Sequence, residues 1–118
     1  MRAVPWIFER MGARVGIYYN STQRLTTAWN DQNNEGGWGD GTLFYPGIPG
    51  AHGVTVSGPV ASMRLKGMRR GLLDVEIARA ARARGGAVTV AGLIDAFTWP
   101  RDGSAYEAAR QAALQFLR

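Results

Sequence analysis

The sequence predicts an α/β fold, and three observations lead to that prediction. Residues 3–11 place apolar side chains at helical spacing, and Gly12 follows as a helix stop. Residues 14–19 are β-branched and aromatic with little alternation, which is typical of a strand buried on both faces. The polar run Asn20 to Gln23 comes directly after that strand. A helix, a glycine and a buried strand follow the order of α/β proteins, whose ligand sites lie at the carboxyl ends of the strands.

Residues 24–41 form a long loop that holds two tryptophans, Trp29 and Trp38, among many Asn, Asp and Gly. Loops of this length in a compact domain are usually functional or disordered, and two tryptophans argue against disorder because they need something to pack on. Aromatic rings stack on the apolar faces of sugars, and neighbouring Asn and Asp accept hydroxyls. The alternative is that both tryptophans only pin the loop to the body.

The loop leads into a motif, Gly-Asp-Gly-Thr-Leu-Phe-Tyr-Pro-Gly, over residues 39–47. Its residues 42–45 predict a short strand, which Pro46 and Gly47 end. Tyr45 can therefore present its phenol at a rim. Asp40 lies between two glycines, and its carboxylate is free either to accept sugar hydroxyls or to cap the N–H groups of its own loop.

Residues 59–84 carry the strongest helical pattern, with Pro59 just inside its start and Gly85-Gly86 as its stop. Gly67 and Gly71 interrupt it four residues apart, which indicates close packing against a neighbouring element. A shorter helix over 88–97 follows. The predicted apolar stripe of the long helix is Leu65, Met68, Leu72 and Val75, widened by Leu73 and Ile77.

A capping box, Ser104 to Glu107, opens a last amphipathic helix. The length of 118 residues fits one domain. We divide it into a portion over 1–84 that carries the motifs and C-terminal helices over 87–118.

Composition limits the function classes. There is no cysteine and a single histidine, so the sequence predicts no thiolate or zinc site and no cofactor. No apolar run approaches the length of a membrane span, and the N-terminal residues do not form a signal peptide. Localisation stays open, because a longer parent protein could be exported.

The net charge of +5 comes from a basic helix, and all but one of the 14 basic residues are arginine. A basic helix can contact nucleic acid, but no nucleic-acid-binding signature accompanies it, so a solvated helix face is the favoured interpretation. The basic residues between positions 64 and 84 are Arg64, Lys66, Arg69, Arg70, Arg79, Arg82 and Arg84.

Four ordered motifs over residues 3–84 resemble the C-terminal part of glycoside hydrolase family 123 and of the related proteins with domain of unknown function 4091. These motifs are Gly-Ile-Tyr-Tyr at 16–19, the motif at 39–47, Gly-Pro-Val-Ala-Ser-Met-Arg-Leu-Lys at 58–66, and Arg-Arg-Gly-Leu-Leu-Asp-Val-Glu at 69–76. The resemblance implies the closing portion of a (β/α)8 TIM-type barrel, with 14–19 as the last strand and the helix from Pro59 after it.

The same resemblance implies hydrolysis of N-acetylhexosamine-containing glycans, as by a β-N-acetylgalactosaminidase, in which an adjacent Asp-Glu pair assists the substrate's own acetamido group. None of the nine acidic residues forms such a pair, so this chain is expected to lack the catalytic residues. A whole barrel needs about 200 residues. The chain would then complete a substrate pocket, with the rest of a barrel or another copy against its exposed apolar surface. The residues expected to contact sugar are Tyr19, Asn20, Trp29, Trp38, Asp40 and Tyr45.

Part of the helix motif matches the family and is expected to form a buried or half-buried polar network of Arg64, Asp74 and Glu76. Other helix positions, such as Arg70, Leu73, Val75 and Ile77, depart from the family pattern. The competing hypothesis is a non-catalytic module that binds carbohydrate or a partner chain through exposed apolar surface.

Overall fold

The computed structural model describes residues 1–34, 37–92 and 98–118. In those residues the chain forms α1 (Ala3–Met11), β1 (Asn33–Asn34), β2 (Gly37–Trp38), β3 (Phe44–Gly47), β4 (Gly58–Ala61), α2 (Met63–Ala83) and α3 (Ser104–Leu117). The strands form two antiparallel pairs, β1 with β2 and β3 with β4. The chain divides into two compact units, one of residues 1–16 with 67–118 and the other of residues 17–66.

The predicted closing portion of a (β/α)8 barrel is wrong. The described residues hold three helices and two short antiparallel hairpins, whereas a barrel portion requires parallel strands joined through helices. The expected barrel strand over 14–19 is not a strand, and the side chains of Val15 and Ile17 are 77% and 87% exposed. A strand forms only where neighbouring backbone completes its ladder, and no described strand lies alongside this segment.

The hairpin of β3 and β4 places two prolines opposite each other. Pro46 pairs with Pro59, and Tyr45 pairs with Val60. The sequence predicted that Pro46 ends the strand and that Pro59 begins the helix, and both positions are instead strand. A two-stranded sheet has only edge strands, so a proline can turn its missing N–H outward without breaking a ladder.

The helix α2 begins at Met63, where the Ser62 hydroxyl accepts the Leu65 N–H at 3.2 Å. Of the predicted apolar stripe Val75 is buried, whereas Leu72 and Leu73 are 55% and 48% exposed, and much of the buried face consists of glycine and alanine. A Cβ on Gly71 would overlap the Arg2 carbonyl oxygen of the segment that leads into α1. The close approach thus selects the face that carries glycine and alanine. The buried residues of α2 are Gly71, Asp74, Val75, Ala78 and Ala81.

In the unit of residues 1–16 and 67–118, α1 spans the predicted residues. The core of this unit packs small residues around two aromatic ones, Trp6 and Tyr106. The helix α3 begins at Ser104, but the predicted capping box does not form. Asp102 accepts the Ser104 N–H at 2.8 Å and also the Ser104 hydroxyl. The predicted helix over 88–97 lies partly outside the described residues, and residues 88–92 are not helical. The core residues of this unit are Ala3, Trp6, Val75, Ala78, Ala81, Val88, Val90, Tyr106, Ala109 and Ala113.

The unit of residues 17–66 is built mainly from loops that are held by backbone hydrogen bonds. The N–H of Leu43 donates to the Ser21 carbonyl, and the N–H of Ser62 donates to the Leu43 carbonyl. Leu43 is 5% exposed and Thr42 is 1% exposed, so the middle of the 39–47 motif is interior. Asp40 is exposed and residues 44–47 are half-buried, so these are the parts of the motif that reach the surface.

Candidate functional site

An aromatic stack holds the long loop onto the β3–β4 hairpin. The ring of Trp29 stacks on Tyr45, with ring centroids 4.5 Å apart, and on His52 at 4.7 Å. The indole N–H of Trp29 donates to the Pro46 carbonyl at 2.8 Å. Two aromatic rings and a hydrogen bond already occupy this side chain. Trp29 therefore matches the alternative that a loop tryptophan pins the loop in place.

Trp38, by contrast, presents its indole to solvent. Its side chain is 64% exposed at the end of β2, where it pairs across the hairpin with Asn33. The backbone of Trp38 is nevertheless fixed, because its carbonyl accepts an N–H of Arg64 at 3.3 Å. An aromatic ring on a held backbone is a ready platform for a flat apolar surface.

A chain of hydrogen bonds links the Trp38 backbone to the aromatic stack. Arg64 donates through Nη1 to Gln32 Oε1 at 3.1 Å, and Gln32 Nε2 donates to the Tyr45 hydroxyl at 3.0 Å. Arg64 reaches this position by lying against Gly39, where any Cβ would overlap its guanidinium. Gln32 had no sequence motif to mark it, and the structure alone assigns it this connecting role.

Asp40 accepts a hydrogen bond from the Tyr18 hydroxyl at 3.3 Å, and the same hydroxyl accepts the Gly41 N–H at 3.2 Å. Asp40 itself is exposed, two residues after Trp38. Tyr19, the predicted sugar contact of this segment, is 88% exposed, and the residue that contacts Asp40 is instead its neighbour Tyr18. The neighbouring aromatic pair was a usable signal, since residues next to each other in an extended segment point to opposite sides.

Asn20 lies in a left-handed turn, with a φ of 61°. Its side-chain N–H donates to Gln23 Oε1 at 2.9 Å, so the amide is engaged within its own turn. Asn tolerates this backbone region better than most residues because its short polar side chain bonds locally.

The residues predicted as a polar network each have other partners. Arg64 bonds within the unit of residues 17–66, as described above. Glu76 is on the exposed side of α2 and pairs with Arg79 at 2.8 Å. Asp74 is fully buried and accepts hydrogen bonds from Arg2 at 2.6 Å and Arg110 at 3.1 Å.

The Asp74 cluster also includes Glu107, which accepts from Arg2 at 2.9 Å and from Arg70 at 3.1 Å. The Gln111 amide, then Arg2 and Arg70, lower the pKa of Glu107 to about 2 through hydrogen bonds to its carboxylate. These acids and guanidinium groups satisfy one another and join α2, α3 and the residue before α1, so the cluster acts as a structural brace.

Comparison of the chain with models of known families, with curated proteins and with solved structures found no match. The resemblance to glycoside hydrolase family 123 therefore stays a prediction from the motifs.

Three cavities of the described residues lie outside the Trp38 surface. A groove of about 480 Å³ on the β3–β4 hairpin is lined by the apolar side chains of Leu25, Phe44 and Pro59, with Thr22 at its edge. A cavity of about 510 Å³ in the other unit is bordered by Trp6 and Glu9. Glu9 is already paired with Arg79 at 2.5 Å and with Arg82. A smaller cavity of about 180 Å³ in that unit is bordered by the exposed Trp99, with Asp102 among its polar lining residues.

Within residues 1–34, 37–92 and 98–118, no cluster of three or more His, Cys, Asp or Glu side chains is arranged to hold a metal ion. In the same residues, no helix is both long and apolar enough to pass through a lipid bilayer.

Proposed function

We propose that the unit of residues 17–66 binds carbohydrate through a surface centred on Trp38, and that it contributes sugar contacts rather than a catalytic group. The observation that carries this proposal is an indole that is 64% exposed although its backbone is fixed by Arg64. Exposing so large an apolar ring costs free energy, because it leaves apolar area in water. A ligand with a flat apolar face recovers that free energy when it covers the ring.

The polar groups around Trp38 suit a sugar. The C–H face of a pyranose is apolar and can stack on the indole, while the hydroxyls at its edge need donors and acceptors. Asp40 supplies an exposed carboxylate that can accept hydrogen bonds from sugar hydroxyls. Glycans that contain N-acetylhexosamine are the proposed class, on the strength of the motif resemblance.

Binding is tested by isothermal titration of the chain with oligosaccharides of N-acetylgalactosamine and of N-acetylglucosamine. Trp38→Ala is expected to weaken the affinity about tenfold or more, the effect of removing one well-packed aromatic contact. Trp99→Ala is the matched control, since Trp99 is 42% exposed in the other unit and should leave the affinity unchanged. Equal losses in the two variants, or no binding by the unmodified chain, would refute the proposal.

Catalysis is tested separately with a chromogenic N-acetylgalactosaminide. We expect no hydrolysis above the buffer rate, because Asp40 is proposed to accept hydrogen bonds from sugar hydroxyls and not to act in an acid–base pair. Turnover that persists through purification and disappears in Asp40→Asn would reassign Asp40 as a catalytic residue.

A further inference from the structure

Arg64 carries a positive charge and forms no ion pair with a carboxylate in the described part of the chain. The two acceptors of its hydrogen bonds, the Gln32 side-chain oxygen and the Trp38 carbonyl, are both neutral. Among residues 1–34, 37–92 and 98–118, none places a carboxylate oxygen within the 4.0 Å of an ion pair with it. By contrast, Arg24 of the same unit pairs with Asp31 at 3.0 Å.

The guanidinium retains hydrogen-bonding capacity as well as charge. It presents five N–H donors in a fixed plane, and the bonds to Gln32 and Trp38 engage one N–H on each terminal nitrogen. Arg64 is half-buried, so its charge is only partly screened by solvent. A planar fork of this kind matches the oxygen geometry of a carboxylate or sulfate.

The cation is fixed against the backbone of Trp38 and Gly39. Gly39 is buried with a φ of +83°, and only the absence of a Cβ lets the guanidinium lie against it. The same guanidinium holds the carbonyl of Trp38. The position of the guanidinium is therefore set by the backbone around Trp38.

We propose that the Trp38 surface prefers an acidic glycan, with a carboxylate or sulfate ester bound by Arg64 next to the sugar ring that stacks on Trp38. This inference rests on the carbohydrate-binding function proposed above and adds the charge of the ligand to it. Asp40, held by the Tyr18 hydroxyl, accepts hydroxyls of the same ligand.

The ligand preference is measured by titrating the unmodified chain with four probes at physiological salt. These are a neutral N-acetylchitohexaose, an unsulfated chondroitin hexasaccharide, a chondroitin 4-sulfate hexasaccharide and a single-stranded DNA oligonucleotide. We expect the acidic sugars to bind about tenfold more tightly than the neutral one, the contribution of one charge-assisted hydrogen-bonded pair. Equal affinity for the two chondroitins identifies the carboxylate as the bound group, and tighter binding of the sulfated one identifies the sulfate ester.

Other outcomes separate the two proposals. If the neutral sugar binds as tightly as the acidic ones, the charge preference is refuted while carbohydrate binding stands. If no sugar binds, both are refuted. If the oligonucleotide binds as tightly as the acidic sugars, Arg64 attracts anions in general and the inference is refuted.

The role of Arg64 is tested with variants of equal charge. Arg64→Gln is expected to reduce the acidic-to-neutral affinity ratio from about tenfold to about twofold, whereas Lys66→Gln, which removes the same charge from the same helical turn, leaves the ratio unchanged. If Arg64→Gln does not fold, Arg64→Lys keeps the charge without the planar fork and should lower the ratio about threefold. A ratio that changes equally in the Arg64 and Lys66 variants would overturn the assignment.

Discussion

At the scale of single residues, Gly39 links backbone conformation to the charge of the site. Its φ of +83° is one that other residues adopt only at a cost, and a Cβ would overlap the Arg64 guanidinium. Because that neighbour is the far end of a flexible side chain, Gly39→Ala should move Arg64 rather than unfold the unit. The variant thus tests the position of Arg64 without changing any charge.

We expect Gly39→Ala to lower the preference for acidic over neutral sugars, and Gly50→Ala to leave it intact. Gly50 is the matched control, since its φ is +84° and a Cβ there meets nothing within 4 Å. Both variants should lose about 1–2 kcal/mol of unfolding free energy from the strained backbone. Urea unfolding checks that the stabilities match, and calorimetric titration measures the preference. An unchanged preference in Gly39→Ala would show that the guanidinium need not lie where the structure has it.

At the scale of elements, α2 packs beside the segment that leads into α1. This packing depends on Gly71 and not on Gly67, one helical turn earlier. A Cβ on Gly71 would overlap the Arg2 carbonyl and crowd the Pro5 ring. A Cβ on Gly67 would lie 3.6 Å from the Arg2 nitrogen, which is ordinary contact. Substitution by alanine should therefore change the free energy of unfolding in opposite directions at the two glycines.

Gly71→Ala should reduce the free energy of unfolding by about 1–3 kcal/mol, because the backbone it meets cannot move aside without shifting the segment around Arg2. Gly67→Ala should raise it by up to about 1 kcal/mol, since alanine favours a helix interior over glycine. Chemical denaturation followed by circular dichroism measures both. A stabilising Gly71→Ala would mean that α2 and that segment are not as close as described.

The sequence predicted elements better than their packing. Local spacing was enough to locate α1 and the body of α2, because helical periodicity and glycine stops are properties of short segments. The strand predicted over 14–19 failed because a strand depends on partners elsewhere in the chain. The residue pattern also predicted that Pro46 ends a strand. It could not show that the sheet has only two strands, where proline is tolerated.

The candidate site was predictable only where residue type marks a position locally. Trp38 and Asp40 stood out by residue type in a long polar loop. Tyr18 and Gln32 did not, since their roles come from hydrogen bonds to residues far away in the sequence. Composition could not show which of Trp29 and Trp38 faces solvent. The rings that cover Trp29 belong to Tyr45 and His52, and only the fold brings these later residues onto it.

At the scale of the whole molecule, stability should depend on pH through Glu107. Its pKa of about 2 lies below its ordinary value of 4.5, so its ion pairs and hydrogen bonds stabilise the fold above about pH 4.5 and are lost as the pH falls towards 2. Glu107→Gln should be less stable than the unmodified chain at neutral pH, and the difference should shrink as the pH falls. Thermal melts over this range measure it, and a difference independent of pH would contradict the assignment.

Association between whole molecules is favoured by a segment that exposes apolar side chains. In the unit of residues 17–66, Ile17 and Tyr19 are 87% and 88% exposed, two positions apart where no helix or strand is formed. Alternate residues of an extended segment share a side, so these two form one apolar edge. An apolar edge beside unpaired backbone favours association with another chain.

We therefore expect the chain to self-associate with increasing concentration, as measured by sedimentation equilibrium. Ile17→Ser should weaken the association about tenfold or more, because each copy would bury one large aliphatic side chain in the contact, a contribution of about 1.5–3 kcal/mol. Val56→Ser is the control, since Val56 is 68% exposed in the loop between β3 and β4 and lies outside the segment. A chain that stays monomeric at the highest soluble concentration would exclude this edge as a contact. Equal weakening in both variants would show instead that association follows general surface hydrophobicity.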